Sequence, residues 1–271
     1  MRNTGIRFEC LRMKPHDHIG WVFSGTDEFA ELARPFLAEG AARGERLMYV
    51  PVDAADPGPA LAGVLGLDAV HVASIAEVYG PADIVDPGPQ RATFEAALAD
   101  ALAAGYTGIR VAADNTPLVA DEQRLAAWIK WEIVADRLMS TKPITGLCAF
   151  DGNKVDVDKL RHLATLHPLS SAASPAPQFR LFNEEGNLCV EGEIDSSAVS
   201  QVRLALSALP AKTGILVDLT RATLLSSTAL GGLSRLATAG FDVIVRGPAA
   251  AIERLTTSDV MTGGRLIVQT A

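Results

Sequence analysis

The fold of the first half of the chain is decided by Ile19-Gly-Trp-Val-Phe-Ser-Gly-Thr-Asp-Glu-Phe-Ala-Glu-Leu-Ala-Arg-Pro-Phe-Leu-Ala-Glu-Gly40. Its apolar run at 19–23 predicts a buried strand. A helical pattern follows, with Thr26 as the expected N-cap and Pro35 as the site of an expected kink. The apolar stripe of this helix consists of Phe29, Leu32, Ala33, Phe36 and Leu37.

The same alternation of strand and helix continues to residue 150. Short apolar runs predict further strands at Arg46–Val52, Ala69–Ala73, Gly108–Ala112 and Ile144–Phe150. Longer helical patterns lie between them at Arg91–Ala104 and Asp121–Met139. Strands that alternate with helices are typical of a parallel sheet covered by helices. We therefore expect an α/β domain with helices on both faces of a parallel sheet.

A change of composition divides the chain at Leu169-Ser-Ser-Ala-Ala-Ser-Pro-Ala-Pro177. These residues are small or turn-forming and uncharged, which predicts a linker at 169–177. The pattern after it predicts a second, smaller α/β domain at 178–271. Its expected strands lie at 179–182, 188–193, 214–219, 242–246 and 265–269, and its expected helices lie at 197–209, 227–239 and 249–257.

Composition and charge exclude several classes of protein. Hydrophobic residues make up 48% of the chain and charged residues 21%, which favours folded domains over disorder. The net charge is -8 and no segment gathers Lys and Arg, so nucleic acid is not an expected direct partner. No apolar stretch approaches the roughly 20 residues of a membrane span, and no signal peptide is recognisable. We expect a cytoplasmic protein with no membrane partner.

The three cysteines are Cys10, Cys148 and Cys189. Their odd number and wide spacing favour reduced thiols over a disulfide framework. Cys148 and Cys189 lie in apolar runs and are expected to be small core residues.

Several motifs of the first domain occur in a characteristic order. They are His16-Asp-His-Ile-Gly-Trp-Val-Phe-Ser-Gly-Thr-Asp-Glu-Phe29, Phe36-Leu-Ala-Glu-Gly-Ala-Ala-Arg-Gly-Glu-Arg-Leu-Met-Tyr-Val50, Gly105-Tyr-Thr-Gly-Ile-Arg-Val-Ala-Ala-Asp114, Trp131-Glu132, Leu147-Cys-Ala-Phe-Asp151 and His167-Pro168. Together they resemble the MEDS family of sensory domains (methanogen/methylotroph DcmR sensory) over residues 12–168. The resemblance implies a sensory domain with a RecA-like parallel sheet, similar in outline to RecA/KaiC-type ATPases.

That likeness raises an enzyme as the alternative function. No Gly-x-x-x-x-Gly-Lys-Ser/Thr phosphate loop occurs in the chain, and Ser24-Gly-Thr-Asp27 lacks the lysine that would contact a triphosphate. Ser24 also does not belong to a Gly-x-Ser-x-Gly nucleophile elbow. We expect no enzymatic activity and no cofactor. The alternative is a small-molecule or nucleotide-dependent enzyme in the N-terminal domain that uses Asp114, Glu132 or His18.

Two groups of polar residues could form a ligand site or sensory pocket in this domain. His16 and His18 would share one face of a strand, but no third His or Cys can be placed beside them from sequence. We therefore predict no metal site, and a structural or ligand-binding role for His18. Arg110, Asp114 and Glu132 form the second group, with a buried salt bridge preferred over a sensory pocket.

The second domain carries Val217-Asp-Leu-Thr-Arg-Ala-Thr-Leu-Leu-Ser-Ser-Thr-Ala-Leu-Gly231, an apolar strand that runs into a short loop ending in hydroxyl residues. With Val190-Glu-Gly-Glu-Ile-Asp195 it resembles the STAS family of anti-sigma-factor antagonists. That family usually has Asp-Ser-Ser/Thr-Gly at this loop. The resemblance implies phosphorylation of Ser227, with Thr228 as second choice, although Ser226 and Ala229 replace the family's Asp and Gly. The alternative is that these hydroxyls only cap a helix.

Together the patterns predict a non-catalytic signalling regulator with a sensory input domain and a STAS-type α/β output domain. The STAS resemblance implies an anti-sigma factor or GHKL-type serine kinase as partner, bound according to the phosphorylation of Ser227. A scaffold without a switch is a third interpretation. The sequence leaves open an unknown small-molecule ligand of the first domain and assembly into a homo-oligomer.

Overall fold

The computed structural model describes residues 2–52, 61, 70–80, 84–195, 201, 204, 207–208, 215–227, 231, 243–248 and 266–270. Seven strands form one parallel sheet, as the alternating pattern predicts. They are β1 (Gly5–Arg7), β2 (His18–Phe23), β3 (Arg46–Val50), β4 (Val70–Val72), β5 (Ile109–Asp114), β6 (Ile144–Asp151) and β7 (Leu169–Ser171). Their order in space is β1-β7-β2-β6-β5-β3-β4.

Five α-helices are described in this part, and four of them begin with a side-chain cap. They are α1 (Thr26–Ala42), α2 (Ile75–Tyr79), α3 (Pro87–Ala103), α4 (Glu122–Thr141) and α5 (Val157–Thr165), with a 3-10 turn at Thr116–Val119. Asp86, Asp121 and Asp156 cap α3, α4 and α5 through their carboxylates, and Ser74 forms a capping box with Glu77 at the start of α2.

Helices cover both faces of the sheet, which is why its strands are apolar on both sides. On one face, Phe29 and Phe36 of α1 belong to the same core as Leu147 of β6. On the other face, Trp128 of α4 belongs to the same core as Phe150 of β6. Side chains of one strand therefore alternate between the α1 face and the α4 face.

A second, smaller sheet follows. Its strands are β8 (Phe179–Glu184), β9 (Asn187–Ile194), β10 (Ile215–Leu225), β11 (Val243–Gly247) and β12 (Leu266–Thr270). They lie in the order β12-β11-β10-β9-β8. β8 is antiparallel to β9, and the other neighbours are parallel. The strands that the sequence predicts in this part are confirmed, whereas most residues of its three predicted helices lie outside the described ranges.

Helix α4 lies between the two sheets. Its side chains share one continuous core with both β6 of the large sheet and β8 of the small sheet. Leu181 of β8 and Leu188 of β9 are almost fully buried in this core. This explains why α4 is buried on more than one side, a pattern expected of a central helix rather than a surface helix.

Three local expectations need correction. Leu169–Ser171, expected as the start of a linker, is strand β7, which pairs with β1 and β2 and is buried. The N-cap position of α1 is Gly25, and Thr26 is the first helical residue. Strand β10 does not stop at residue 219 but continues to Leu225, with two irregularities in its pairing to β9. In the first and third cases, pairing with a neighbouring strand overrides the local sequence pattern.

A helix that crosses a membrane needs roughly 20 consecutive, mostly apolar residues. None of the helices within the described ranges is both long and apolar enough to cross a bilayer.

Candidate functional site

Four buried side chains meet on the α4 face of the large sheet. They are His18 of β2, Glu132 of α4, Cys148 of β6 and His167, which lies just before β7. One ligand atom from each lies within 4.8 Å of the others. We refer to these four residues as the buried cluster. Two of its members, His18 and Glu132, are candidate site residues predicted from the sequence. Both are completely buried.

Strand pairing explains how the cluster forms. His18 is paired with Gly146 and Gly20 is paired with Cys148, so His18 and Cys148 lie on adjacent strands two positions apart in register. Residues two positions apart share a face, which places the imidazole and the thiol side by side under α4. The missing side chain at Gly20 makes room for the ring of His167, because a Cβ there would lie 2.7 Å from His167 Nδ1.

The outer nitrogen of each imidazole is held by a hydrogen bond. His18 Nδ1 donates to Asp136 Oδ1 at 3.1 Å, and His167 Nδ1 donates to the backbone carbonyl of Leu163 at 2.8 Å. Both Nε2 atoms therefore point inward. His18 Nε2 lies 3.3 Å from Glu132 Oε2 and 3.4 Å from Cys148 Sγ, and His167 Nε2 lies 3.4 Å from Glu132 Oε1.

The electrostatics of the cluster are those of tightly coupled buried groups. Burial by itself would raise the pKa of the Glu132 carboxyl, but the two imidazoles lower that pKa well below its ordinary value. Burial would lower the pKa of His167, whereas Glu132 raises it, to about 9. The pKa of His18 is likewise raised against burial, through Cys148 and the Asp136 carboxylate. The pocket thus favours positive charge at its centre.

The cluster is also connected directly to the small sheet. Asp136 accepts from His18 with one oxygen, and its other oxygen accepts from the backbone amide of Asn183 in β8. Arg2 donates to the same carboxylate at 2.7 Å and to the Asn183 carbonyl at 2.7 Å. On the opposite side of the cluster, Arg180 of β8 donates to the carbonyl of His167 at 2.8 Å.

Arg110 lies on the other face of the large sheet. Its guanidinium donates to Glu45 at 2.5 Å and to Glu39 at 3.3 Å, and it lies over the ring of Phe36. A buried salt bridge of Arg110 is thus present, but its expected grouping with Glu132 is wrong. The reason is that Arg110 points to the α1 face, whereas α4 carries Glu132 on the opposite face.

Asp114 lies at the carboxyl end of β5, away from the cluster. Burial raises the pKa of its carboxyl, against the lowering effect of its hydrogen bonds to Thr116. The side-chain amide of the neighbouring Asn115 is buried, and neither its Oδ1 nor its Nδ2 has a hydrogen-bond partner within the described ranges. This polar edge of a parallel sheet is a usual place for ligands, so Asp114 stays a candidate for a small-molecule site.

His16 does not join His18 in one site. Its Nδ1 donates to the carbonyl of Met139, and its φ of 76° turns the chain before β2 begins. The prediction of no metal site depends on the lack of a third His or Cys near His18 in the sequence, and the structure places Cys148 and His167 beside this residue. Both lie in motifs quoted from the sequence, but their meeting with His18 depends on a strand order that the sequence pattern does not reveal.

A cleft of about 440 Å³ opens where the two sheets adjoin. It is lined by residues of α3, of α4 and of the turn between β8 and β9, among them Arg91, Arg137 and Lys142. Clefts are common ligand sites. The charged lining of this one is mixed, because Glu95 and Glu185 also line it and Arg91 is paired with Glu95.

Ser227 is exposed and lies two residues after Leu225, the last residue of β10. The backbone amide of Ser226 donates to the carbonyl of Ile194 at 2.9 Å, which fixes the chain just before the proposed phosphoacceptor. Thr228, the second choice, lies outside the described residues.

Comparison with known proteins gives one family. The family model of MEDS, described as MEthanogen/methylotroph, DcmR Sensory domain, matches residues 17–168, which is more than half of the 271 residues. This range contains all four residues of the buried cluster. No curated protein and no solved structure matches the chain.

Proposed function

The chain belongs to the MEDS family of sensory domains, and we propose that it is a signalling regulator that acts by binding rather than by catalysis. In this proposal the MEDS domain receives the signal, and the small C-terminal sheet carries the output to a partner protein. The MEDS match supports the sensory half. The output half is argued from the geometry of α4 and from Ser227.

The position of α4 between the two sheets is the observation that carries the proposal. This helix supplies Glu132 to the buried cluster and Asp136 to the contact with Asn183, one helical turn apart. A signal that moves the cluster must therefore disturb a hydrogen bond to β8. Such direct contact between input and output is what a coupled two-state regulator requires.

The small sheet carries the second part of the proposal. The order of its strands along the chain is compatible with the STAS resemblance, and Ser227 is exposed two residues after the end of β10. Phosphorylation would add nearly two negative charges at this exposed position, enough to change a binding surface without refolding the sheet. We propose that a GHKL-type serine kinase or related anti-sigma factor binds there, as it does to anti-sigma-factor antagonists.

The proposal is tested on the full chain, because an isolated small sheet would expose the apolar residues that pack on α4. Wild type, Ser227→Ala, Thr228→Ala and the control Ser226→Ala are incubated with labelled ATP and each GHKL-type kinase of the source genome. We expect phosphate transfer to wild type and to Ser226→Ala, and none to Ser227→Ala.

The second readout is partner binding. The kinase that transfers phosphate should bind unmodified wild type and lose at least tenfold in affinity for Ser227→Asp. Equal labelling of Ser227→Ala and wild type would exclude Ser227 as the acceptor. If every kinase leaves the wild type unlabelled and binds Ser227→Asp as it binds wild type, the output switch is wrong and only the sensory domain stands.

A further inference from the structure

We propose that the buried cluster of His18, Glu132, Cys148 and His167 binds one divalent transition-metal ion of the zinc class in a closed, four-coordinate site. This goes beyond the proposed function, because the metal site requires neither a partner protein nor phosphorylation of Ser227. The site is supported by the distances between ligand atoms, the outer hydrogen bonds of the imidazoles, the buried acceptor atoms and the apolar surroundings.

The distances between ligand atoms match a tetrahedron around zinc. Zinc bonds of about 2.0–2.1 Å to nitrogen and oxygen and about 2.3 Å to sulfur place neighbouring ligand atoms about 3.3–3.6 Å apart. His18 Nε2 already has two such separations, 3.3 Å to Glu132 Oε2 and 3.4 Å to Cys148 Sγ. His167 Nε2 has one, 3.4 Å to the other carboxylate oxygen, Oε1. The full set of four atoms lies within 4.8 Å, so small side-chain adjustments would complete the shell.

The outer hydrogen bonds have the pattern of metal-binding histidines. Such residues donate their second ring N–H to a carboxylate or a backbone carbonyl, which fixes the tautomer and aims the other nitrogen at the metal. His18 donates to the Asp136 carboxylate, and His167 donates to the Leu163 carbonyl. In their neutral form, both imidazoles therefore direct a lone pair at Nε2 into the cluster.

The third observation concerns the buried acceptor atoms of Glu132 and His167. Both carboxylate oxygens of Glu132 and the Nε2 of His167 are buried and make no hydrogen bond to any residue that the structure describes. An acidic side chain and two inward lone pairs repel one another unless a positive charge lies between them. Two nitrogens, one sulfur and one carboxylate are the ligand set of zinc-class ions and not of Mg²⁺ or Ca²⁺.

The surroundings favour a closed site. The ring of His167 lies against Phe150, which in turn contacts Trp128, and all three are buried. Tyr79 closes the same side against Trp128. An apolar shell of this kind keeps water away from the ion, as in structural zinc sites.

The alternative to a bound metal ion is protonation of both imidazoles. If both imidazoles were protonated, they would face Glu132 as two buried cations with ring centroids 4.4 Å apart. A metal ion satisfies the same acceptors without placing two like charges side by side. Metal content and thiolate coordination separate the two cases.

The experiment uses full-length protein purified without chelator or affinity metal. Elemental analysis should give about one zinc-class ion per chain. After removal of this ion by a chelator, titration with Co²⁺ should give a thiolate-to-cobalt charge-transfer band and the intense visible bands of tetrahedral Co²⁺. Cys148→Ser should lose the charge-transfer band, and His167→Gln should lower Co²⁺ affinity at least tenfold. The matched controls Cys189→Ser and His162→Gln should retain both, because neither residue belongs to the cluster.

Wild type that holds no metal and takes up neither Zn²⁺ nor Co²⁺ overturns the proposal, and this arm does not depend on how well the variants fold. Metal uptake with an unchanged charge-transfer band in folded Cys148→Ser also overturns it, since the ion would then be bound elsewhere. Loss of the charge-transfer band in Cys189→Ser as well as in Cys148→Ser would also overturn the proposal.

Discussion

Asp136 accepts a hydrogen bond from the ring of His18 at 3.1 Å, although the two residues are 118 positions apart in the chain. The second oxygen of the same carboxylate accepts the amide of Asn183. One fully buried side chain therefore joins the sensory sheet to the C-terminal sheet. The first prediction concerns this carboxylate.

Asp136→Asn should lower the free energy of unfolding by about 3 kcal/mol, because an amide cannot accept from Arg2, His18 and Asn183 together and leaves buried donors unpaired. Urea denaturation followed by circular dichroism measures the change. The control Asp158→Asn removes a carboxylate that is 72% exposed and should shift the value by less than about 0.5 kcal/mol. Equal effects of the two substitutions would remove the special role of Asp136.

Arg110→Met should cost about 3–5 kcal/mol, because it leaves Glu45 buried without its cation. Adding Glu45→Gln should restore part of the loss, which a double-mutant cycle detects as a coupling. The exposed pair of Arg91 and Glu95 provides the matched control, and Arg91→Met should change stability by less than about 0.5 kcal/mol. If Glu45→Gln makes Arg110→Met worse, the buried pair does not act as described.

Gly20→Ala should destabilise the chain by about 1–3 kcal/mol, since the new methyl group would lie 2.7 Å from His167 Nδ1. The cost should shrink in a His167→Ala background, where the ring is gone. Gly88→Ala is the control, because its nearest neighbour is 3.5 Å away and alanine is favoured in a helix. An undiminished cost of Gly20→Ala without the ring would place the clash elsewhere.

The fourth prediction concerns the pH dependence of Asp114. Burial raises the pKa of this carboxyl, and its charged or titratable neighbours include Tyr49, Asp151 and Lys154. Because the folded state holds the proton more tightly than the unfolded state, the stability from Asp114 is present at low pH and is lost as pH rises through the raised pKa. Asp114→Asn should thus gain stability relative to wild type between about pH 4 and neutrality. Urea denaturation at several pH values checks this, and a relative stability that falls with pH contradicts it.

Much of the N-terminal fold follows from sequence because its strands are apolar runs, buried on both faces and separated by clear helical patterns. The first and last strands of the large sheet cannot be predicted from local sequence, for a physical reason. β1 and β7 are three residues long, and Leu169-Ser-Ser171 has the composition of a linker. They form strands because they pair with each other and with β2, which no local pattern records.

The sequence predicts two of the four residues of the buried cluster as candidate site residues. His18 and Glu132 stand out as polar residues in apolar surroundings, but Cys148 has the size and setting of an ordinary core residue. Its role depends on the pairing of β2 with β6, which are more than 100 positions apart in the chain. The sequence also does not show which face of the sheet α4 covers. For this reason it cannot show that Arg110 and Glu132 lie on opposite faces.

Hydrogen exchange of the full chain, resolved by mass spectrometry, tests the coupling of the buried cluster to the C-terminal sheet most directly. Glu132→Gln alters the buried cluster, and it should increase amide exchange at 179–194 more than at β3 (Arg46–Val50). The control Glu45→Gln, on the α1 face, should affect β3 more than 179–194. Unchanged protection of 179–194 in Glu132→Gln, with altered exchange confined to α4 and the large sheet, would contradict coupling through α4.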